Sequence, residues 1–260
     1  MRQLILPGNR AGDARLVLDE KTSRYLVRVL RLGNGDSFPA LDEAGNGFSC
    51  EISEASSTAA IILLSPGDGS GEQASGGIRL ALVQALPKGQ KMDLIVRQAA
   101  ESGVTAIFPL QTRNCVVREK GDTDKTEKLH RRRKIVKEAL QQSGSNVRTK
   151  IFPATTIEAL PGLLAAEGFP AASSLYLMCH ELPLAEISLH EYCAGGLLDA
   201  VILVGPEGGF SPEETEAFLA MGFKPVHFEG TILRTETAAL FSLAAVRTIL
   251  MERTSWILSK

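Results

Sequence analysis

Two stretches of the chain combine residue types that local structure alone does not require. Val201-Ile202-Leu203-Val204 is an apolar run of strand type that opens directly into Gly205-Pro206-Glu207-Gly208-Gly209. Glycines at 205, 208 and 209 let the backbone turn sharply and approach a ligand closely. Ser211, Pro212 and Glu214 then read as N-cap, first helical residue and reciprocal capping partner, so a helix starts there. A tight strand-to-helix turn needs the same glycines, and the Gly-Lys-Ser/Thr ending of a phosphate loop is absent. The second stretch, Thr231-Ile232-Leu233-Arg234-Thr235-Glu236-Thr237-Ala238, opens the last predicted helix with a polar run. Thr235 as N-cap and Glu236 near the positive helix end have ordinary structural roles. Arg234 does not, because a cation at that end is disfavoured, and an anionic ligand or a phosphate explains it better.

Two weaker segments place basic residues beyond strand ends: Pro87-Lys88-Gly89-Gln90-Lys91-Met92-Asp93 and Gln111-Thr112-Arg113-Asn114-Cys115-Val116-Val117-Arg118. The formal net charge of −2 does not announce a nucleic-acid binder. Its distribution is more informative. Between Lys125 and Lys150 nine Lys or Arg, Arg131, Arg132 and Arg133 among them, stand against two Glu, which suits a phosphate-rich partner as well as a solvated helix face. Cys50, Cys115, Cys179 and Cys193 are too widely spaced for a disulfide framework or zinc site, and the four histidines form no ligand motif. No metal is expected. No apolar run reaches membrane-spanning length, and the apolar stretch within Met1–Pro7 is too short for a secretory signal, so a cytoplasmic location without membrane contact is expected.

The elements that must position these residues fall into two patterns. Ser65–Gly77 holds five glycines and almost nothing apolar, and reads as a linker between domains at 1–70 and 76–260. Before it, Leu16–Leu18, Ser37–Leu41, Gly47–Ile52 and Ala59–Leu64 read as short strands separated by turn residues. A helix over Ser23–Leu32 interrupts them and would put Arg24, Arg28 and Arg31 on one face. After the linker, strands at Ile78–Leu86, Val104–Phe108, Leu175–Cys179, Ala200–Val204 and Pro225–Phe228 alternate with helices. The helices are expected at Gln90–Ser102, Lys125–Ser143, from a Thr155/Glu158 capping box to Glu167, after Ser211, and over Glu236–Glu252. Alternation of this kind predicts an α/β fold with a mostly parallel sheet covered on both faces. Ligands of such sheets bind at the carboxyl ends of the strands, where the unusual residues sit.

In this order the segments resemble the RsmE family of SPOUT-class RNA methyltransferases. The matching residues are Lys88-Gly89 with Asp93 and Glu101–Gly103, Arg113 with Val116-Val117, and Glu138-Ala139 with Gln142 and Gly144. They also include the loop Val204–Gly209 and the run Ile232–Ala239. Val29-Leu30-Arg31 with Gly35-Asp36 is similar to that family's PUA-like β-barrel. Thr231, Gln98 and Ser145 stand where the family often carries Arg, Lys and Arg.

The resemblance implies a SPOUT-type sheet with a C-terminal trefoil knot, a homodimer, and S-adenosylmethionine as cofactor. Its binding residues would be Met178, His180, Val204, Gly205, Pro206, Glu207, Gly208, Ile232, Leu233, Arg234, Thr237 and Ala238. The reaction implied is methylation at N3 of a uridine in 16S ribosomal RNA of the small subunit. Arg24, Arg28, Arg31, Lys88, Lys91, Arg113, Arg131, Arg132 and Arg133 would meet the RNA. Arg234 would stabilise negative charge on the base, and Glu207 or Glu236 would accept its proton if burial raises the carboxyl pKa. The alternatives are a SPOUT methyltransferase of transfer RNA and a non-catalytic RNA-binding assembly factor.

Overall fold

The computed structural model describes residues 3–67, 77–119, 121–145 and 147–253. The chain divides into two compact units, Met1–Ser75 with Lys137–Arg148, and Gly76–Val136 with Thr149–Lys260. The part of the expected linker at 68–76 lies outside the described residues, whereas Ser65 and Pro66 belong to a strand.

In the first unit β1 (Leu4–Leu6), β2 (Arg15–Val17), β3 (Ser37–Asp42), β4 (Gly47–Glu54) and β5 (Ile61–Pro66) form a sheet in the order β1-β3-β4-β5-β2. Its pairs are antiparallel except β1 with β3, and β1 and β2 are its edges. The sheet is thus a curled half-barrel of PUA type. Phe38, Ala40, Phe48, Cys50, Ile52, Ile62 and Leu64 alternate inward along the strands and meet Leu26 in one core.

The helix expected over Ser23–Leu32 is different. It is α1 (Glu20–Arg24), capped by Asp19, followed by a π-helical turn at Tyr25–Val29 with Leu30 N–H donating to Tyr25 O at 3.0 Å. Arg31 lies beyond it at φ +59°. The wider turn and the left-handed residue break the 3.6-residue period, so Arg24, Arg28 and Arg31 are exposed but do not form the expected single helical stripe.

The second unit is built on a six-stranded sheet, every pair parallel: β6 (Arg79–Ala85), β7 (Ala106–Leu110), β8 (Lys150–Ile151), β9 (Leu175–Cys179), β10 (Asp199–Val204) and β11 (Lys224–Val226). Their order is β11-β9-β10-β6-β7-β8. β6, β7, β9 and β10 are buried on both faces, and the two-residue period sorts their side chains. Ala81 and Val83 of β6 with Val201 and Leu203 of β10 pack against Leu160 and Leu164 of α4 (Leu160–Ala166) and Phe218 of α6 (Pro212–Ala220). α2 (Lys91–Glu101) and α7 (Thr235–Arg253) pack together, and α7 also packs against β6 and β10. α5 (Leu189–Cys193) also belongs to this unit, as does α3 (Gly121–Ser143) up to Val136, its last residues falling in the first unit.

The Thr155/Glu158 capping box does not form. Thr155 N–H donates to Pro109 O at 2.9 Å and Thr155 O accepts from Gln111 N–H at 2.9 Å, so its backbone extends the sheet and α4 starts later, at Leu160. The four cysteines are unbonded, and burial pushes the Cys50 thiol up to about 12. Among the described residues no helix is long and apolar enough to cross a membrane, and no cluster of His, Cys, Asp and Glu could hold a metal.

Candidate active site

Because every strand of the second sheet runs the same way, the loops after β6, β9, β10 and β11 leave from one edge. The chain leaves β6 for α2 and β10 for α6, and ligands of open α/β sheets bind outside the carboxyl ends of the strands. The loop after β10 is held from several sides. Ser211 and Glu214 form the expected reciprocal capping box, and Glu214 Oε1 also accepts the Arg113 N–H at 2.6 Å. Asn114 Nδ2 donates to Gly208 O at 3.0 Å and Gly209 O at 3.2 Å. At Gly205 a Cβ would meet the Phe210 ring at 3.3 Å, and Gly209 sits at φ +64°, so the glycines are required by close approach and backbone conformation.

The start of α7 is stitched to the same loop. Thr235 does not cap its helix but is the first residue in it; its Oγ1 donates to Gly205 O at 2.7 Å and accepts from Gln84 Nε2 at 3.0 Å. Gln84 lies opposite Val204 in the sheet, so one buried hydroxyl joins β6, the glycine loop and α7. Thr235→Val, nearly isosteric, is expected to cost about 1–3 kcal/mol by leaving Gly205 O and one N–H of Gln84 Nε2 unpaired, the other N–H keeping its bond to Ala85 O at 2.9 Å. Thermal denaturation checks this, and an unchanged midpoint would refute it.

Between the glycine loop, the end of β9 and the segment before α7 lies a cavity of about 500 Å³. His180, Val204, Gly205, Pro206, Glu207, Ile232, Leu233, Arg234 and Ala238 of the expected cofactor residues line it. Gly208 and Thr237 are exposed nearby in sequence but do not line it, and the Met178 side chain is fully buried in the core of the sheet. Sequence reasoning missed Phe210, His227, Phe228 and Thr235 as lining residues. An aromatic directly after a glycine turn was the available signal for Phe210; none marked the others.

The carboxylates depart from expectation. Lys91 Nζ stands 2.9 Å from Glu207 Oε1 and 3.1 Å from Glu236 Oε2. Burial alone would raise the Glu207 carboxyl, but the Lys91 ammonium and the backbone N–H groups of Glu207 and Lys88 outweigh it and hold it below the ordinary value. At Glu236 burial is again opposed, by its own backbone N–H, by Lys91 and by the charge of Arg234, and the carboxyl is again lowered. Lys91 is raised by its bonds to the two carboxylates. The raised pKa expected of a proton acceptor is therefore overturned. The two carboxylates contribute stability above their unfolded pKa, which is lost as pH falls through the lowered folded values; Lys91 loses its share only at alkaline pH.

Of the residues expected at RNA, Lys88, Arg113, Arg131 and Arg133 are exposed, with Arg113 paired to Glu213 at 3.4 Å and Arg131 to Asp93. Arg132 is not available: it is 6% exposed and paired with Glu119, whose side chain is fully buried. Lys91 is committed to its two carboxylates.

Comparison with known proteins agrees with this arrangement. A family model for the RNA methyltransferase domain matches residues 75–247, and one for the RNA methyltransferase PUA domain matches residues 18–65. The chain is 30% identical to the ribosomal RNA small subunit methyltransferase E of Synechocystis, over 95% of this chain and 78% of that one. It is 29% identical to ribosomal RNA small subunit methyltransferase E 2 of Borreliella burgdorferi, over 96% and 98%. The crystal structure of a ribosomal RNA small subunit methyltransferase E from Neisseria gonorrhoeae bound to S-adenosyl methionine matches with a TM-score of 0.78 at 26% identity, covering 96% of this chain and 98% of that one. With both halves of the chain matched and the strand-end loops arranged around one cavity, the protein belongs to the ribosomal RNA small subunit methyltransferase E family.

Proposed function

We propose that the protein transfers a methyl group from S-adenosylmethionine to N3 of a uridine in 16S ribosomal RNA of the small subunit. The observation that carries this is the single cavity enclosed by the glycine loop near 205 and the polar run near 235. Its lining fits the cofactor chemically. Val204, Leu233, Phe228 and Ala238 offer apolar contact to a flat base, Glu181 and Glu207 suit a cationic ligand, and Arg234 suits a carboxylate or an anionic base. A Cβ at 205 would lie 3.3 Å from the Phe210 ring, another lining residue, so a side chain there would displace that wall of the cavity.

The cofactor, when bound, supplies an electrophilic methyl group on a sulfonium. The protein's contribution is positioning and electrostatics. Arg234, exposed at the rim of the cavity, donates to the uracil oxygen on which negative charge grows as N3 loses its proton. Glu207 and Glu236 stay ionised through the neutral range and can accept a proton at Oε, as weak bases. The target base leaves its stack to reach the cavity.

Residues 1–70 serve as the RNA-binding domain, with Arg24, Arg28 and Arg31 at phosphates, and 76–260 as the methyltransferase domain, with Lys88, Arg113, Arg131 and Arg133. A C-terminal trefoil knot belongs to the same proposal. A homodimer, favoured by exposed Leu182, Ile232 and Phe241 in the same unit, and a cytoplasmic location are part of the proposal, and sedimentation tests the first. The decisive experiment incubates the protein with labelled cofactor and small subunits lacking the modification, then maps the label. Methyl at uridine N3 of 16S RNA is expected; transfer to transfer RNA instead, or to neither, would overturn the proposal.

A further inference from the structure

We infer that Lys91 is a positioning residue of the pocket: its ammonium ties the glycine loop after β10 to the first turn of α7 and holds these two walls at one spacing. The inference rests on reading the cavity as the cofactor site. The two walls come from segments remote in sequence, and each turns a carboxylate toward the other. Without a cation between them Glu207 and Glu236 would repel and the cavity would widen. Lys91, from a third element, α2, stands 2.9 Å from one and 3.1 Å from the other. Glu236 depends on it most. Its Oε2 is buried and has no hydrogen-bond partner of good geometry, so the ion pair with Lys91 is what compensates that atom.

Glu207 is gripped twice by the same segment, through Lys91 and through the Lys88 N–H, which lies 3.2 Å from both carboxylate oxygens. The loop after β6 therefore sets the position of the loop after β10. The charged groups facing the bridge are Glu207 from the glycine loop, and Glu236 and Arg234 from the start of α7. Asp93, the nearest acid on α2 itself, is occupied by Arg131. Of the expected reacting groups Lys91 touches the two carboxylates, Glu207 and Glu236, and it acts through the walls that carry them.

The test measures S-adenosylmethionine affinity by calorimetry, and thermal unfolding beside it, for the wild type, K91M and K91R from about pH 5.5 to about pH 8. Wild-type affinity is expected to stay flat across that range. K91M should bind about tenfold more weakly at neutral pH, the loss of one charge-assisted contact. It should recover affinity as pH falls, because a proton taken up by either carboxylate removes the repulsion. K91R should restore both the affinity and the flat profile, since it returns the cation. K91Q carries the same expectation as K91M if the latter does not fold. A folded K91M or K91Q with wild-type affinity and a flat profile would overturn the role of Lys91 alone. Failure of the wild type to bind the cofactor would overturn the pocket reading, and this inference with it.

Discussion

Arg234→Ala is expected to slow methyl transfer by about 10²–10³-fold under saturating cofactor, the cost of removing one preorganised donor to developing negative charge. The guanidinium sits at the rim of the cavity, immediately before a helix whose positive end does not favour a cation. Proximity to Glu236 is the one favourable interaction of its charge among the described residues, and an anionic partner at the cavity explains its position. Because Arg234 is exposed, its loss should leave the thermal midpoint nearly unchanged. Arg234→Lys should fall between the two, keeping the charge but losing the planar fork. Single-turnover rates with saturating cofactor isolate this step. A rate for Arg234→Ala within a few-fold of wild type would remove the assignment.

The second large effect concerns stability. Glu119→Ala is expected to cost about 3–5 kcal/mol, because it strands the buried Arg132 guanidinium without a counter-charge. The pair is 2.5 Å apart, with 7% of the Arg132 side chain and none of the Glu119 side chain exposed. Glu119 Oε2 and Arg132 Nη1 nevertheless have no hydrogen-bond partner, so desolvation of the pair is incompletely compensated. Replacing both residues with apolar ones of similar size should for that reason recover most of the loss. Urea denaturation of the single and double variants distinguishes these outcomes, and a single variant as stable as wild type would show the pair is not structural. Burial also separates Arg132 from its neighbours in RNA binding. Arg133→Ala should reduce the salt dependence of binding by about one counterion, whereas Arg132→Met should leave that slope alone.

The sequence by itself determined the parts of this protein whose signals are local. β9, β10 and α2 are legible because fully buried strands read as continuous apolar runs, and an amphipathic helix repeats its apolar residues at 3.6. The Ser211/Glu214 capping box formed as read, since its bonds are made within one turn. The same kind of signal misled at Thr155, where pairing with β7 claimed the backbone groups that a cap would have used. β1 and β8, of three and two residues, carried too little pattern to be seen.

Only the tertiary structure decided the order β11-β9-β10-β6-β7-β8, which brings the loops near 205 and 235 onto one cavity. It alone made Thr235 a tie rather than a cap, and turned Lys91 and Arg132 from candidate phosphate contacts into partners of carboxylates. A charged residue's role depends on which opposite charge lies within a few ångströms and how much water is left between them. Neither is written in spacing along the chain.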